Sequence, residues 1–314
     1  MQFAVIGSGS IGIGWAIVFA RTGHQVKVYD IDQSRLDYFK RSLNERLGFL
    51  MEEELLDEDA TTISARVTTT LDLADAVRSA DYIQECAPEL LETKKALFAS
   101  LIEFSTPDAI IASSTSALKS SSFASDLATR ARCLVVHPGN PPYLLSVVEV
   151  VPAPYTSVDV VARTQEILHE LQLNPILVKK EIEGFVFNRL QGAMLREAYA
   201  LVKDGVIEPK DIDMVVTQGL AKRWSIIGPF GTSALNVEGG IKAHAARMGE
   251  SYYRMGIERG QGERWSDELV EIVAQSIEKI FHNEDWAKNV NKRDRALMKL
   301  TRVMRDNDVF NFYR

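Results

Sequence analysis

The fold of this chain is decided by two short stretches near its beginning, FAVIGSGSIG at residues 3–12 and VKVYD at residues 26–30. The first stretch is an apolar run that leads into three glycines with the spacing G-x-G-x-x-G. Residues 11–22 have helical composition, and the second stretch is again apolar and ends in the acid Asp30. A strand, a glycine turn, a helix, a strand and an acid in this order are typical of a unit that binds a dinucleotide.

Each glycine of the first stretch has its own expected role. Gly7 permits a tight turn, Gly9 lets the backbone approach a pyrophosphate, and Gly12 lets the helix pack closely on the strand. The helix that starts at Ser10 and Ile11 directs unpaired N–H groups and the positive end of its dipole toward the same pyrophosphate. These five residues are therefore predicted to bind a cofactor, and an ordinary glycine-rich turn is the alternative.

Asp30 indicates which cofactor this is. A carboxylate at the end of the second strand can bind both ribose hydroxyls of an adenosine. Ile31 and Asp32 follow it, and no arginine is adjacent, so a 2′-phosphate would be repelled. The sequence therefore predicts NAD rather than NADP.

The length and composition are typical of a globular protein with two domains. The chain has 314 residues, of which 46% are hydrophobic and 25% charged, and its net charge of −7 argues against a nucleic-acid partner. Its two cysteines, Cys86 and Cys133, are too few for a disulfide framework and lack metal-binding spacing, so no metal is expected.

A strand that starts almost at Met1 leaves no room for a signal peptide, and no apolar run reaches membrane-spanning length. We expect a cytoplasmic protein without a membrane partner.

Strands and helices alternate in the first part of the chain and helices alone fill the rest. After the opening unit, strands are predicted at 66–70, 81–86, 109–112, 133–137, 146–151 and 175–178, with helices at 33–50, 71–79, 89–104 and 158–171. From residue 184 onward the predicted helices are 185–202, 211–220 with Asp211 as N-cap and Gly219 as stop, 240–255, 267–281 and 285–305. This pattern predicts a Rossmann-type doubly wound parallel sheet at 1–183 that binds NAD, followed by an all-helical domain at 184–314.

Polar residues at strand ends are the candidates for chemistry, because ligands bind beyond the carboxyl ends of strands in such sheets. His137 ends a core strand and precedes a proline-broken loop, whereas the other four histidines lie in turns or helices. Glu149 lies inside an apolar strand, where an unpaired carboxylate would be costly to bury, so His137 is its expected partner. A core histidine with a structural role is the alternative to a catalytic base.

Five motifs together resemble the 3-hydroxyacyl-CoA dehydrogenase family over nearly the whole chain. They are GSGSIG at 7–12, SSTS at 113–116, HP at 137–138, VEV at 148–150 and GFVFNRL at 184–190. Within that family the chain is similar to the lambda-crystallin, L-gulonate 3-dehydrogenase branch, and it also resembles L-carnitine dehydrogenases. The segments that carry the closer similarity are SSTS at 113–116, HPGNPPY at 137–143, RWSIIGPF at 223–230 and LNVEG at 235–239.

The resemblance implies roles for six residues and a homodimer built on the helical domain. Its implied catalytic set is Ser116, His137, Glu149 and Asn188, and its implied cofactor contacts are Glu89 and Lys94. In these roles His137 takes the hydroxyl proton and Glu149 orients the imidazole ring, while Ser116 and Asn188 hydrogen-bond the reacting oxygen or the ring. For Ser116 and Asn188 the structural alternative is a cap or loop hydrogen bond.

Charge near the second strand bears on the substrate. Residues 51–60 carry six carboxylates, which would weaken binding of a polyphosphate such as coenzyme A despite the basic Lys40, Arg41 and Arg46. A small hydroxy acid needs only one well-placed cation, for which Arg223 is the candidate; a surface salt bridge is the alternative role of Arg223.

We therefore expect NAD-dependent oxidation of the 3-hydroxyl of a small, L-gulonate-like hydroxy acid. The alternatives are a 3-hydroxyacyl-CoA dehydrogenase, a carnitine dehydrogenase and a non-catalytic, crystallin-like NAD-binding protein. A carnitine enzyme would bind the quaternary ammonium on aromatic rings such as Trp224, Phe230 or Tyr143.

Overall fold

The computed structural model describes residues 1–238, 240–259, 268 and 285–305. Within them, eight strands form one sheet: β1 Gln2–Ile6, β2 Gln25–Tyr29, β3 Val67–Thr70, β4 Tyr82–Glu85, β5 Ile110–Ser113, β6 Cys133–Pro138, β7 Val147–Pro152 and β8 Asn174–Leu177. Their order in the sheet is β3-β2-β1-β4-β5-β6-β7-β8. The strand order reverses between β1 and β4, which is where a doubly wound sheet opens a crevice for a ligand.

The predicted parallel sheet is confirmed for β1 to β6, and the direction then changes. β7 pairs with β6 in antiparallel fashion, and β8 pairs with β7 in parallel. The connection between β6 and β7 is short, at residues 139–146, and a parallel pair would need a longer crossover. The last two strands therefore run opposite to the first six.

The helices of the first part of the chain lie between these strands. They are α1 Ser10–Arg21, α2 Gln33–Glu52, α3 Ala60–Ala65, α4 Leu73–Val77, α5 Leu91–Phe104, α6 Ser120–Ala124 and α7 Val158–Glu170, with a 3₁₀ turn at Arg130–Arg132. The short helices α3 and α6 were not expected from the sequence. Asp59 begins α3 because its carboxylate accepts a hydrogen bond from the N–H of Thr61 at 2.8 Å.

The sheet is buried on both faces, which explains the continuous apolar runs of its strands. In β1, Phe3 and Val5 belong to one apolar cluster, and Ala4 and Ile6 belong to the other. Helix α1 supplies the first cluster with a run of buried residues that ends in Ala20. The sequence pattern of an apolar strand followed by an apolar helix is thus a consequence of two-sided burial.

The later helices are α8 Phe187–Lys203, α9 Pro209–Val215, α10 Ala221–Trp224, α11 Pro229–Leu235, α12 Gly240–Arg259 and α13 Trp286–Arg305. A π-helix over Val216–Leu220 joins α9 to α10. The helix predicted over 267–281 lies almost wholly outside the described residues. By its internal contacts the chain forms two compact units, Met1–Arg189 with Asp294–Arg302, and Leu190–Arg293 with Val303–Arg314.

Two predicted helix ends in the second unit were wrong. Glu208 rather than Asp211 is the N-cap of α9, because Pro209 occupies the first helical position, where its missing N–H costs nothing. Gly219 does not stop the helix, because the π-helical turn accommodates it and the chain stays helical to Trp224.

Part of α13 belongs to the first unit. Met298 is fully buried in the same cluster as β1, and Asp294 accepts a hydrogen bond from the buried Tyr143 hydroxyl at 3.2 Å. On either side of Met298, Arg295 forms an ion pair with Glu52, and Arg302 lies 2.6 Å from Glu54.

The negative charge of the acidic segment at 51–60 is therefore partly compensated. Three of its six carboxylates form ion pairs with arginines, namely Glu52 and Glu54 with α13 and Glu58 with Arg66, and Asp59 caps α3. No described helix is long and apolar enough to cross a membrane.

Candidate active site

The glycine turn has the geometry of a dinucleotide cradle. Gly7 has φ +108, and a Cβ there would lie 2.7 Å from the carbonyl oxygen of Cys86, so a larger residue would be strained and would clash. A Cβ on Gly12 would lie 2.0 Å from the Gly7 carbonyl oxygen, so only glycine lets helix α1 pack this closely against the turn. Gly9 instead faces open space, since a Cβ added there would meet no described atom within 4 Å. The middle glycine is thus where a ligand can approach the backbone.

The N-terminus of α1 is open to an anion. Gly9 is its N-cap and provides no side-chain hydrogen bond, and no acidic residue lies in the first turn. The N–H groups that begin at Ser10 and Ile11 are therefore free of capping side chains, and the positive end of the helix dipole is not neutralised. These residues fit the pyrophosphate of NAD.

Asp30 lies directly after β2 with its carboxylate held in place. Its Oδ2 accepts hydrogen bonds from the backbone N–H of Ser8 at 3.0 Å and from the Ser8 hydroxyl at 2.6 Å. Both bonds reach the same oxygen. Asp32 is otherwise engaged, because it caps α2 through the N–H of Ser34. Asp30 is therefore the carboxylate that fits an adenosine ribose.

His137 and Glu149 form the expected pair. They stand directly opposite each other on the antiparallel strands β6 and β7, and His137 Nδ1 lies 2.7 Å from Glu149 Oε2. Both side chains are buried. Burial by itself raises the pKa of Glu149, but hydrogen bonds from His137 and from the N–H groups of Phe187 and Val186 outweigh burial and hold that pKa below its usual value. An ionised carboxylate only accepts hydrogen bonds, so His137 carries its proton on Nδ1.

The second oxygen of Glu149 is held by the start of α8. Oε1 accepts hydrogen bonds from the N–H of Val186 at 2.7 Å and of Phe187 at 3.0 Å. The chain turns these donors toward the carboxylate through two left-handed residues, Gly184 with φ +72 and Phe185 with φ +46. A buried phenylalanine seldom adopts this conformation, so the surrounding structure must impose it. His137 Nε2 has no hydrogen bond to any described residue, which leaves it available as a base.

Ser116 and Asn188 are in direct contact. The Asn188 side-chain amide donates to the Ser116 carbonyl oxygen at 2.8 Å, and the Ser116 N–H donates to Glu89 Oε1 at 3.1 Å. The Ser116 hydroxyl has no partner among the described residues. Phe187, whose N–H donates to Glu149 and whose ring lies 6.2 Å from that of His137, directly precedes Asn188 in the chain, so the start of α8 connects the two pairs of the implied catalytic set.

Lys94 is more deeply buried than a cofactor contact would suggest. Its side chain is 1% exposed, and its Nζ lies 2.9 Å from each carboxylate oxygen of the fully buried Glu85. Glu89 lies above this pair with its side chain 40% exposed and its Oε2 3.7 Å from Lys94. Of the two implied cofactor contacts, Glu89 is the one that a ligand can reach.

Sequence reasoning missed a buried polar network beside this site. The Ser114 hydroxyl accepts hydrogen bonds from Trp15 Nε1 at 3.1 Å and from Gln84 Nε2 at 2.7 Å, and it lies 3.3 Å from Cys86 Sγ. The Tyr82 hydroxyl donates in turn to Gln84. Burial raises the pKa of the Cys86 thiol to about 12, so the thiol is neutral. The signal in the sequence was Gln84, a polar residue inside the apolar strand β4.

Arg223 lies in the second unit, on the exposed surface of α10. It forms no ion pair with an acidic residue in the described part of the chain, so the surface salt bridge considered above is not seen there. Its helix α10 follows the π-helical turn directly, and π-helical turns are frequent at functional sites. Among the described residues, no group of three His, Cys, Asp or Glu side chains could hold a metal ion.

A doubly wound sheet with an open dinucleotide cradle at its switch point, and a buried His–Glu pair at a nearby strand end, defines an NAD-dependent dehydrogenase that acts on a CH–OH group. The chain belongs to the 3-hydroxyacyl-CoA dehydrogenase family. The family model for the NAD-binding domain matches residues 2–182, and the model for the C-terminal domain matches residues 184–272.

Three relatives show the breadth of this similarity. The lambda-crystallin homolog of Rattus norvegicus is 37% identical over 303 residues, which are 95% of this chain and 95% of the rat protein. The L-carnitine dehydrogenase of Oceanobacillus iheyensis is 32% identical over 305 residues, or 97% and 98% of the two chains. The crystal structure of 5-formyl-3-hydroxy-2-methylpyridine 4-carboxylic acid 5-dehydrogenase, an NAD⁺ dependent dismutase, matches with a TM-score of 0.84 at 26% identity and covers 97% and 98% of the two chains.

Proposed function

We propose that this chain oxidises the 3-hydroxyl of a small, L-gulonate-like hydroxy acid to the 3-oxo acid, with His137 as the general base. The observation that carries this proposal is the 2.7 Å contact between His137 Nδ1 and Glu149 Oε2, which leaves Nε2 without a partner among the described residues. A histidine in this tautomer presents a lone pair on Nε2, as proton abstraction from an alcohol requires.

The chain's own residues account for the movement of the proton. Bound NAD would supply the acceptor for the hydride that leaves the carbon bearing the hydroxyl. His137 Nε2 takes the hydroxyl proton, and the ionised Glu149 stabilises the imidazolium that results. The two N–H groups at the start of α8 keep Glu149 in place throughout, since they bind the oxygen that does not face His137.

Ser116 and Asn188 orient the reacting oxygen in this proposal. The Ser116 hydroxyl has no protein partner among the described residues, and the Asn188 amide fixes the Ser116 backbone. A hydroxyl donor near a developing carbonyl oxygen polarises it and holds the reactive geometry.

The cofactor contacts that we propose are the residues of the glycine turn and the start of α1, together with Asp30 after β2. Gly7, Gly9 and Gly12 with the N–H groups at Ser10 and Ile11 hold the pyrophosphate, and Asp30 binds the adenosine ribose. Glu89 completes the contacts, and Lys94, which the resemblance also implies, acts through Glu89, since its Nζ is buried 3.7 Å from the Glu89 carboxylate. The test is a comparison of NAD with NADP, in which equal use would contradict the role of Asp30.

The choice of a small acid rests on Arg223 and on the relatives. Two of the relatives named above, a dehydrogenase of L-carnitine and one of a pyridine carboxylic acid, act by name on small carboxylates and match nearly the full length of this chain. Arg223 is an exposed cation that could bind such a carboxylate.

Acyl-CoA oxidation is the second candidate, and one structural observation favours it. Because half of the carboxylates at 51–60 are ion-paired, the segment repels a polyphosphate less than its sequence suggests.

For L-carnitine, Phe230 offers an exposed ring, whereas the Tyr143 ring is buried and already lies 5.9 Å from the Arg46 guanidinium.

A purified-enzyme panel separates these substrates. NAD reduction should be measured with L-gulonate, L-carnitine, L-3-hydroxybutyrate and 3-hydroxybutyryl-CoA under identical conditions. Turnover of the thioester alone would overturn the small-acid proposal.

His137→Ala should abolish turnover and leave NADH binding intact, while His169→Ala on the exposed face of α7 serves as the matched control. Turnover by His137→Ala would remove His137 from its role.

We also infer from the family resemblance that residues 184–314 supply substrate contacts and pair two subunits, that residues 1–183 form the cofactor domain, and that the enzyme is cytoplasmic. Exposed apolar residues on α8, such as Leu190 and Met194, support an interface between copies. Light scattering should give twice the chain mass of 35.1 kDa, and a monomer would refute the pairing.

A further inference from the structure

We propose that Glu89 is a positioning residue for the reaction, which clamps the loop at Ser116 and thereby aims the Ser116 hydroxyl. The proposal rests on the proposed function, in which that hydroxyl contacts the reacting oxygen. It gives Glu89 a role that a contact with the cofactor does not require.

One oxygen of Glu89 gathers three donors from three successive residues. Oε1 accepts a hydrogen bond from the Thr115 hydroxyl, from the Ser116 N–H at 3.1 Å and from the Ala117 N–H at 3.1 Å. Convergent N–H and O–H groups of this kind form a pocket for a carboxylate. The loop after β5 is therefore folded around the Glu89 carboxylate.

Ser116 is held from its other side as well. Its N–H donates to Glu89, and its carbonyl oxygen accepts from the Asn188 amide at 2.8 Å. With both backbone polar groups engaged, the direction of the Cα–Cβ bond is fixed. The hydroxyl is then the polar group of Ser116 that remains for a ligand.

Glu89 is in turn held by the buried pair beneath it. Its Oε2 lies 3.7 Å from Lys94 Nζ, and Lys94 is bound to the fully buried Glu85. Burial alone raises the pKa of Glu89, but the Thr115 hydroxyl, the Lys94 charge and the two N–H groups outweigh it and lower that pKa overall. The carboxylate is thus ionised near neutral pH, as a strong acceptor of three hydrogen bonds must be.

Four variants and one control test this role: Glu89→Ala, Ser116→Ala, the double variant, Thr115→Val, and Glu92→Ala as control. Glu92 is an exposed glutamate on the neighbouring helix α5, where it forms an ion pair with Lys95. For each protein, kcat and KM are measured from NADH formation, and the Kd for NADH from its fluorescence.

We expect Ser116→Ala and Glu89→Ala each to lower kcat about 10²-fold, the size typical for one lost donor to a reacting oxygen. The Kd for NADH should weaken much less than kcat falls, since Glu89 is only one of the implied cofactor contacts and the glycine cradle is unchanged. The double variant should be no slower than Ser116→Ala, because residues that act through one another are not additive. Thr115→Val should lower kcat in the same direction, and Glu92→Ala should not.

Three results would overturn the proposal. The first is a Kd for NADH that weakens as much as kcat falls, which would make Glu89 a cofactor contact only. The second is full additivity in the double variant, and the third is a wild-type kcat for Glu89→Ala or Thr115→Val. A wild-type kcat for Ser116→Ala would instead remove Ser116 from the proposed function. If Glu89→Ala fails to fold, Thr115→Val decides by the same kcat and Kd criteria.

Discussion

Replacement of Glu149 by Gln tests the His–Glu pair without removing its shape. In the variant, the amide oxygen can still accept the N–H groups of Val186 and Phe187, at 2.7 and 3.0 Å in the wild type. The amide nitrogen then faces His137 Nδ1 across the 2.7 Å contact, and an amide nitrogen only donates. Nδ1 must therefore accept, and the ring proton moves to Nε2, the atom proposed as the base.

The expected loss is large because the wrong tautomer cannot accept the hydroxyl proton. General-base catalysis contributes about 10²–10⁴-fold, and the corresponding carboxylate-to-amide change in serine proteases costs about 10⁴-fold, so we expect kcat to fall by roughly 10³-fold. This fall corresponds to about 4 kcal/mol in activation free energy. KM for NAD should change little, since the cradle is separate from the pair.

The assay is steady-state NADH formation, with NADH affinity and thermal unfolding measured on the same preparations. Glu181→Gln is the matched control, because Glu181 also accepts a backbone N–H, from Ser121 at 3.1 Å, without contacting His137. If folded Glu149→Gln retains kcat within about threefold of the wild type, the tautomer reasoning is refuted. The same refutation holds if the control loses as much activity.

The same substitution makes a prediction about pH. The pKa of Glu149 is lower in the folded protein than its ordinary value of 4.5, so ionisation favours folding. This contribution is fully present above the unfolded-state pKa, and it is lost as pH falls through the lower folded-state value. In acid titrations followed by circular dichroism, the wild type should lose more stability than Glu149→Gln below about pH 5, and parallel losses would contradict the assignment.

Three further predictions concern the cofactor, the substrate and the C-terminal helix. Asp30→Ala should raise KM for NAD about tenfold, the effect of losing one charge-assisted contact, with little change in kcat. Arg223→Ala should raise KM for the hydroxy acid about tenfold or more, whereas its neighbour Lys222→Ala should not; a wild-type KM for Arg223→Ala would make its role structural. Met298→Ala should lower the free energy of unfolding by about 2–5 kcal/mol, while Leu300→Ala, 47% exposed on the same helix, should change it by less than about 0.5 kcal/mol in chemical denaturation.

The parts of the fold that could be predicted are those with local signals. Gly7, Gly9, Gly12 and the strand–helix–strand pattern around them specify the cradle, because the steric needs of a tight turn are written in adjacent residues. The contact between His137 and Glu149 was also predictable, since a buried carboxylate needs a partner. Their direct opposition on antiparallel strands explains how the contact is made.

Other features depend on residues far apart in sequence and left no local signal. The positive φ of Phe185 is imposed by the packing around Glu149, and phenylalanine has no preference for it. Arg295 and Arg302 pair with Glu52 and Glu54 from more than two hundred positions away, so the sequence overstates the negative charge of the acidic segment. A sequence gives the net charge of a segment, but the local electric field also depends on which distant basic residues lie next to that segment in the folded chain.

The placement of Met298 in the core of the first unit has a consequence for biosynthesis. The 104 residues of Leu190–Arg293 must be translated before the last part of that unit leaves the ribosome, which takes roughly 5–20 s at about 5–20 residues per second. During this interval the nascent cofactor unit exposes the apolar surface that Met298 will cover. Completion of the nucleotide-binding half is thereby coupled to synthesis of nearly the whole chain, and a ribosome stalled before position 298 would hold a unit with an open core.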